Sequence, residues 1–131
     1  MLLFETAFFA DLPLRERLYG LESQVMRAHS LRRYGFHGLF HEAAALDVLR
    51  QAGADRPLRI LSVCLDPKPE VAAVVGLRPV MVTGGSTPLE GLPGHTSCGE
   101  LDPSVALKLS EALGSGVEGA DRLLAQDSGL K

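Results

Sequence analysis

Arg32-Arg33-Tyr34-Gly35-Phe36-His37-Gly38 concentrates two guanidiniums, two aromatic rings and an imidazole in one short run. Flanked by Gly35 and Gly38, His37 belongs to a loop, because glycines on both sides favour turns and close backbone approach over a regular helix or strand. An aromatic-lined loop whose imidazole titrates or donates near neutral pH can grip an anionic group. The same residues suit a core-capping loop in which Tyr34 and Phe36 are buried and His37 is satisfied by a carbonyl, since aromatics are buried far more often than catalytic. Residue types alone leave both readings open.

Other constellations are weaker. His37 and His41 are four apart, a spacing that could form a metal pair, with Cys64, His95 and Cys98 as further ligands. No Cys-x-x-Cys or His-Glu-x-x-His pattern accompanies them, so no metal is expected from these residues. A Ser-His-acid hydrolase lacks a nucleophile-elbow motif. Gly84-Gly85-Ser86 suits an anion cradle and a flexible connection equally well.

The elements that must position these groups follow from periodicity. Met1 to Phe9 is a short apolar run that reads as a strand or buried arm. Asp11 and Pro13 open a helical stretch with Leu14, Leu18, Leu21 and Val25 at turn spacing, which Gly20 can divide. From about Leu39 to Ala52 the spacing predicts a helix with Leu39, Ala43, Leu46 and Leu49 on one face, ended by Gly53 and Pro57. Leu58 to Leu65 reads as a central strand covered on both faces. Val71 to Val75 and Leu77 to Val82 make a hairpin with Gly76 first in a II′ turn, and Pro79 confines the third strand to an edge. Thr83 to Gly99 is a connection of the length that serves a site. Asp102 and Pro103 start a helix with Val105, Leu109, Ala112 and Leu113 as its buried stripe, ended by Gly114, and a last helix runs from about Val117 to Gln126. A small sheet with open edges is marginal by itself, so pairing with the amino-terminal strand or with another copy of the chain is expected.

With 131 residues, 46% of them apolar, there is material for one core, and the whole chain 1–131 is expected to be a single domain. The formal charge of −3 and scattered basic residues give no footprint for nucleic acid or an anionic membrane. The first residues lack a basic leader and no apolar segment is long enough to span a bilayer, so a soluble cytoplasmic protein is expected. Cys64 and Cys98 are expected as reduced small hydrophobes.

Five blocks then carry a resemblance. Phe4-Glu5-Thr6-Ala7-Phe8, the Arg-Arg-Tyr-Gly-Phe-His-Gly run, Thr87-Pro88-Leu89-Glu90-Gly91-Leu92, Leu101-Asp102-Pro103 and Asp127-Ser128-Gly129-Leu130 follow one another in this order. In order and approximate spacing they are similar to signatures of the acetate kinase (acetate/propionate kinase) family, and together they are far more specific than any one. The resemblance covers almost the whole chain but only about the middle third of the family's length. It implies an α/β fold, part of the actin-like ATPase (ribonuclease H-like) architecture, with a small three-stranded antiparallel sheet packed with helices and a phosphate-holding hairpin between its first two strands.

The family transfers a phosphoryl group between acetyl phosphate and ADP with magnesium, chemistry that needs backbone donors around phosphate, cations at the equatorial oxygens and carboxylates for metal. The resemblance makes His37 the transition-state histidine, Phe36 and Pro88 the lining of an acetate methyl pocket, and Gly38 part of the same substrate-binding motif. Glu5 stands where the family has an aspartate that helps position metal or substrate, displaced by a methylene. Leu39 and Phe40 replace a Thr-Ser pair. The larger departures are at the hairpin and beyond it. Cys64-Leu65-Asp66-Pro67-Lys68-Pro69 stands where the family has His-Leu-Gly-Asn-Gly, so two prolines remove amide donors and Asp66 adds negative charge unless Lys68 offsets it. Ser97 stands where an arginine is expected, and the guanidinium fork is lost.

The expectation is therefore a degenerate acetate-kinase-like domain that is not a competent kinase alone and acts as a small-anion binding or interaction module, its ligand a small carboxylate or phosphate, its partner a second copy in a homodimer or another polypeptide. The alternative is an acyl-phosphate phosphotransferase completed by oligomerisation or a partner chain. Only that alternative calls for magnesium and ATP.

Overall fold

The computed structural model describes residues 2–53 and 55–131. A 3₁₀ segment, Glu5–Asp11, is followed by helices α1 (Leu14–Arg17), α2 (Ser23–Ala28) and α3 (Gly38–Ala52). Strands β1 (Arg59–Cys64), β2 (Glu70–Val75) and β3 (Arg78–Val82) come next, then α4 (Pro103–Ala112) and α5 (Gly116–Gln126). The sheet is antiparallel in the order β1-β2-β3.

The hairpin joining β2 and β3 is as anticipated. Val75 pairs with Arg78 across a two-residue turn in which Gly76 has φ +62° and Leu77 does not enter the positive region, the II′ arrangement. Pro79 lies in the edge strand β3, beside a register shift opposite Ala73/Val74. Asp102 caps α4 by accepting from the Ser104 amide at 2.8 Å, with Pro103 in the first turn. Gly53 ends α3 in the left-handed conformation at φ +53°.

Several expectations are corrected. The amino-terminal run is not a strand. From Glu5 it winds as a 3₁₀ segment that places Phe9 and Leu12, three apart, on one buried face, each only 2% exposed. It therefore cannot extend the sheet. The stretch from Leu14 to Ala28 is two short helices interrupted around Gly20, and Leu14, Leu18, Leu21 and Val25 are exposed. β1 is an edge strand, not a central one, and Leu61 and Val63 on its outer face are open to solvent. In α4 no residue is buried, so Val105 and Leu113 do not form a covered stripe. The buried side of α3 is Gly38, His41 and Ala45, while Leu39 and Ala43 lie outside it.

The core joins Phe9 and Leu12 to Ala45 of α3 and to Ala72, Val74 and Val82 of the sheet, with Phe8 and Ile60 against it. Strand alternation decides what else faces inward. Cys64, Ser62 and Ile60 pair with Glu70, Ala72 and Val74, so a serine and a glutamate share the inner face with the apolar residues. Among the described residues no helix is long and apolar enough to cross a membrane.

Candidate functional site

The loop before α3 is held by its neighbours on both sides. The Arg33 amide donates to the Arg17 carbonyl at 2.9 Å and the Tyr34 amide to the Gly85 carbonyl at 3.0 Å. Both guanidiniums are engaged. Arg32 stacks over the Tyr34 ring at 4.6 Å, and Arg33 pairs with Glu90 at 2.8 Å. Glu90 also accepts from the Tyr19 hydroxyl, which in turn accepts from the Ser86 amide at 2.8 Å. Burial, reinforced by the bond to Glu90, pushes the Tyr19 phenol up to about 12. These contacts tie the loop to the connection after β3.

The loop's amides are turned to a carboxylate of the chain itself. Glu70, 3% exposed, accepts from the Phe36 amide at 3.0 Å and from the His37 amide at 2.9 Å. His41, fully buried, places Nε2 3.3 Å from Glu70 Oε1, outside hydrogen-bond alignment, and its Nδ1 lies 2.8 Å from Ser62 Oγ. Burial works against the charge on Glu70, but the His41 imidazole and the two amides outweigh it and hold the carboxyl below its ordinary range. Gly84 lies against this carboxylate, where a Cβ would overlap Glu70 Oε2.

Phe36, His37, Pro88, Pro67 and Lys68 line one cavity of about 230 Å³ together with Pro69, Glu70, Gly84 and Glu90. The sequence's candidates His37, Phe36 and Pro88 are thus brought together, from two segments, with Pro67 and Lys68 of the turn that departs from the family pattern. His37 makes no side-chain hydrogen bond among the described residues, so neither of the two loop readings describes it fully: its backbone, not its imidazole, is what the fold satisfies. Tyr34 and Phe36 are half-buried. The volume suits a small molecule and is below the range typical of drug-sized sites.

Other candidates lie elsewhere. Glu5 is exposed and its carboxylate accepts from the Leu39 amide at 3.1 Å, closing the first turn of α3 rather than lining the cavity. Gly38 is buried against the 3₁₀ segment, where a Cβ would overlap the Glu5 carbonyl oxygen. Ser97 lines a neighbouring cavity of about 420 Å³ with His95, Thr96 and Asp121, and Pro67, Lys68 and Pro88 line both. Residues 94–98 are strapped by the end of the chain: the Ser128 amide donates to Thr96 and the Leu130 amide to Gly94. Cys64 and Cys98 are free, and burial raises the Cys64 thiol, which donates to the Asp66 carbonyl at 3.3 Å.

A sequence-family model described as the acetokinase family matches residues 1–131. The chain belongs to that family. The chain is 38% identical over 128 residues to the acetate kinase of Coprothermobacter proteolyticus, covering 97% of this chain and 32% of that protein. It is 36% identical over 129 residues to the acetate kinase of Syntrophobacter fumaroxidans, covering 98% and 31%. Its fold matches part of the crystal structure of Porphyromonas gingivalis acetate kinase with a TM-score of 0.91 at 34% identity, over 96% of this chain and 32% of that one. A propionate kinase from Francisella tularensis subsp. tularensis matches with a TM-score of 0.89 at 28% identity, over 96% and 33%. The chain therefore spans about a third of the length of the relatives it matches, and its α/β fold with a three-stranded antiparallel sheet is a fragment of the kinase fold.

The turn between β1 and β2 offers few backbone donors. Pro67 and Pro69 have no amide hydrogen, Asp66 is exposed, and the Lys68 ammonium donates to the Glu90 carbonyl at 2.8 Å. Burial lowers Lys68 from its ordinary value. Among the described residues no group of three or more His, Cys, Asp or Glu is placed to hold a metal ion. Sequence reasoning missed Glu70, and weighed His41 only as a metal partner of His37. Glu70 shares strand parity with Ala72 and Val74, and His41 stands one turn before Ala45, so the two periodicities that define the core carry the signal.

Proposed function

We propose that this chain is a degenerate acetate-kinase-like domain that does not transfer phosphate alone and keeps the acyl end of the pocket as a small-ligand module. One observation carries this reading: the turn 65–69 offers imino acids and an already engaged lysine where phosphate needs free amides and cations. Ser97, without a guanidinium beside the same turn, points the same way. What is left is apolar and compact. Phe36, Pro67, Pro69 and Pro88 surround a short acyl chain, and the His37 imidazole supplies a hydrogen bond to its carboxyl group. The ligand is a short-chain carboxylic acid.

Titrating the purified chain with magnesium and ATP, with acetyl phosphate and with short carboxylates by calorimetry tests it. Carboxylate binding without saturable nucleotide binding is expected. Micromolar nucleotide affinity or kinase-range turnover would overturn it. Replacing Asp66-Pro67-Lys68 by Gly-Asn-Gly together with Ser97→Arg is expected to raise phosphate affinity.

A second reading, a phosphotransferase completed by another polypeptide or by a second copy, has one observation in its favour. Leu61 and Leu65 beside the open sheet edge are each 73% exposed, and Leu107 and Val117 are 67% and 76% exposed on the last two helices. Apolar surface of this extent suits coverage by protein. Concentration-dependent self-association in sedimentation, accompanied by gain of phosphotransfer, would favour this reading over the first.

A further inference from the structure

The cluster around Glu70 goes beyond the preceding reading. The two loop amides of Phe36 and His37 point at one position, and the buried His41 Nε2 lies beside it without an aligned partner. Ser62 holds the other nitrogen of that imidazole at 2.8 Å. α3 starts immediately after, so the positive end of its dipole faces the same place. Donors converging in this way form a receptor for an oxyanion, and the position is filled by a carboxylate reaching in from the first residue of β2.

We infer that this is a carboxylate-binding site with a resident ligand: Glu70 acts as an internal plug that occupies the amide cradle of the Phe36–His37 loop and turns free carboxylates and phosphates away from it. Three features support a receptor rather than an incidental ion pair. The carboxylate is almost wholly withdrawn from water, its acceptors meet two backbone donors at 2.9–3.2 Å, and the chain has no side chain at Gly84, where a Cβ would overlap Glu70 Oε2. A charge taken that far from water must recover its hydration from fixed donors, and the donors here, the Phe36 and His37 amides, lie at the start of α3, which the plug ties to β2. The class of ligand follows from the atoms concerned. Glu70→Ala deletes Cγ and the carboxylate, which are the atoms of an acetate ion, and Glu70→Gly also deletes Cβ, which makes the missing piece a propionate.

The experiment is chemical rescue read as thermal stability of the full chain, at neutral pH and constant ionic strength, with sodium acetate exchanged for sodium chloride. In chloride, Glu70→Ala is expected to melt below wild type. Acetate is expected to raise its Tm saturably and by more than it raises that of wild type, whose response reports only binding in the cavity of the preceding reading, with propionate the better rescuer of Glu70→Gly. At ten times its dissociation constant the anion multiplies the folded-to-unfolded ratio about 11-fold. A variant that folds in acetate and not in chloride supports the inference as well. Equal responses of Glu70→Ala and wild type to acetate would overturn it. If Glu70→Ala folds in neither salt, Glu70→Gln decides: it keeps the shape of the plug without its charge, and stability equal to wild type at neutral pH would overturn the inference, whereas a lower Tm that acetate raises no more than it raises wild type supports it. Phosphotransfer is not the readout, so kinase activity in the chain would defeat the preceding reading and leave this one untouched.

Discussion

Gly38→Ala separates packing from ligand binding at the start of α3. In an exposed helix the substitution would stabilise by up to about 1 kcal/mol through helix propensity. Here the new Cβ would overlap the Glu5 carbonyl oxygen and stand 2.9 Å from the Phe8 Cβ. The first obstacle is backbone, so the segment Glu5–Asp11 must shift, and that segment carries Phe9 of the core and leads directly into Leu12. Overpacking of this kind costs about 1–3 kcal/mol, and the displaced aromatic contacts place the effect toward the upper end. For a domain of this size a loss of about 2–3 kcal/mol lowers Tm by roughly 5–15 °C. Thermal and urea unfolding followed by circular dichroism provide the assay. Gly53→Ala is the control: nothing lies within 4 Å of its Cβ, and only the φ of +53° opposes it, so a smaller loss of about 1–2 kcal/mol is expected. A Gly38→Ala protein as stable as wild type would refute the packing of the amino-terminal segment on α3.

Tyr19 and Glu70 give opposite pH signatures. Tyr19 is raised in the folded chain from 10.0 to about 12, so its contribution is complete below pH 10 and is lost as pH rises through 12; Tyr19→Phe should flatten the alkaline limb of a stability profile. Glu70 is lowered from 4.5, so its contribution is present above that value and is lost as pH falls through its lower folded value; the stability gap between wild type and Glu70→Gln should close in acid. Asp102→Ala removes the acceptor of the Ser104 amide and should cost about 1 kcal/mol, measured by urea unfolding.

Local features were readable where a single residue's backbone chemistry decides them. Gly76, Pro79, Asp102 with Pro103 and Gly53 each act through φ, a missing amide or a cap, and the turn, edge strand and helix ends lie where they imply. Burial was less legible. Val105, Leu109, Leu61 and Val63 have core-like spacing, yet most face solvent, because spacing reports which residues share a face and not whether another layer covers it. The amino-terminal run was misread for a related reason: a short apolar segment fits a strand or a tight helix equally until Phe9 and Leu12 have a surface to bury against.

By itself the sequence determined the family, the order of α3, the three strands, α4 and α5, and the loss of amide donors from the turn at Asp66-Pro67-Lys68-Pro69, because motifs, caps and imino acids act within a few residues. Tertiary structure alone decided that Glu70, 33 to 34 residues away along the chain, fills the amides of Phe36 and His37, and that Glu5 and Gly38 belong to packing at the start of α3. Those outcomes depend on which donors remain unsatisfied once helix, sheet and loop meet, and a buried amide takes whatever acceptor the fold brings to it.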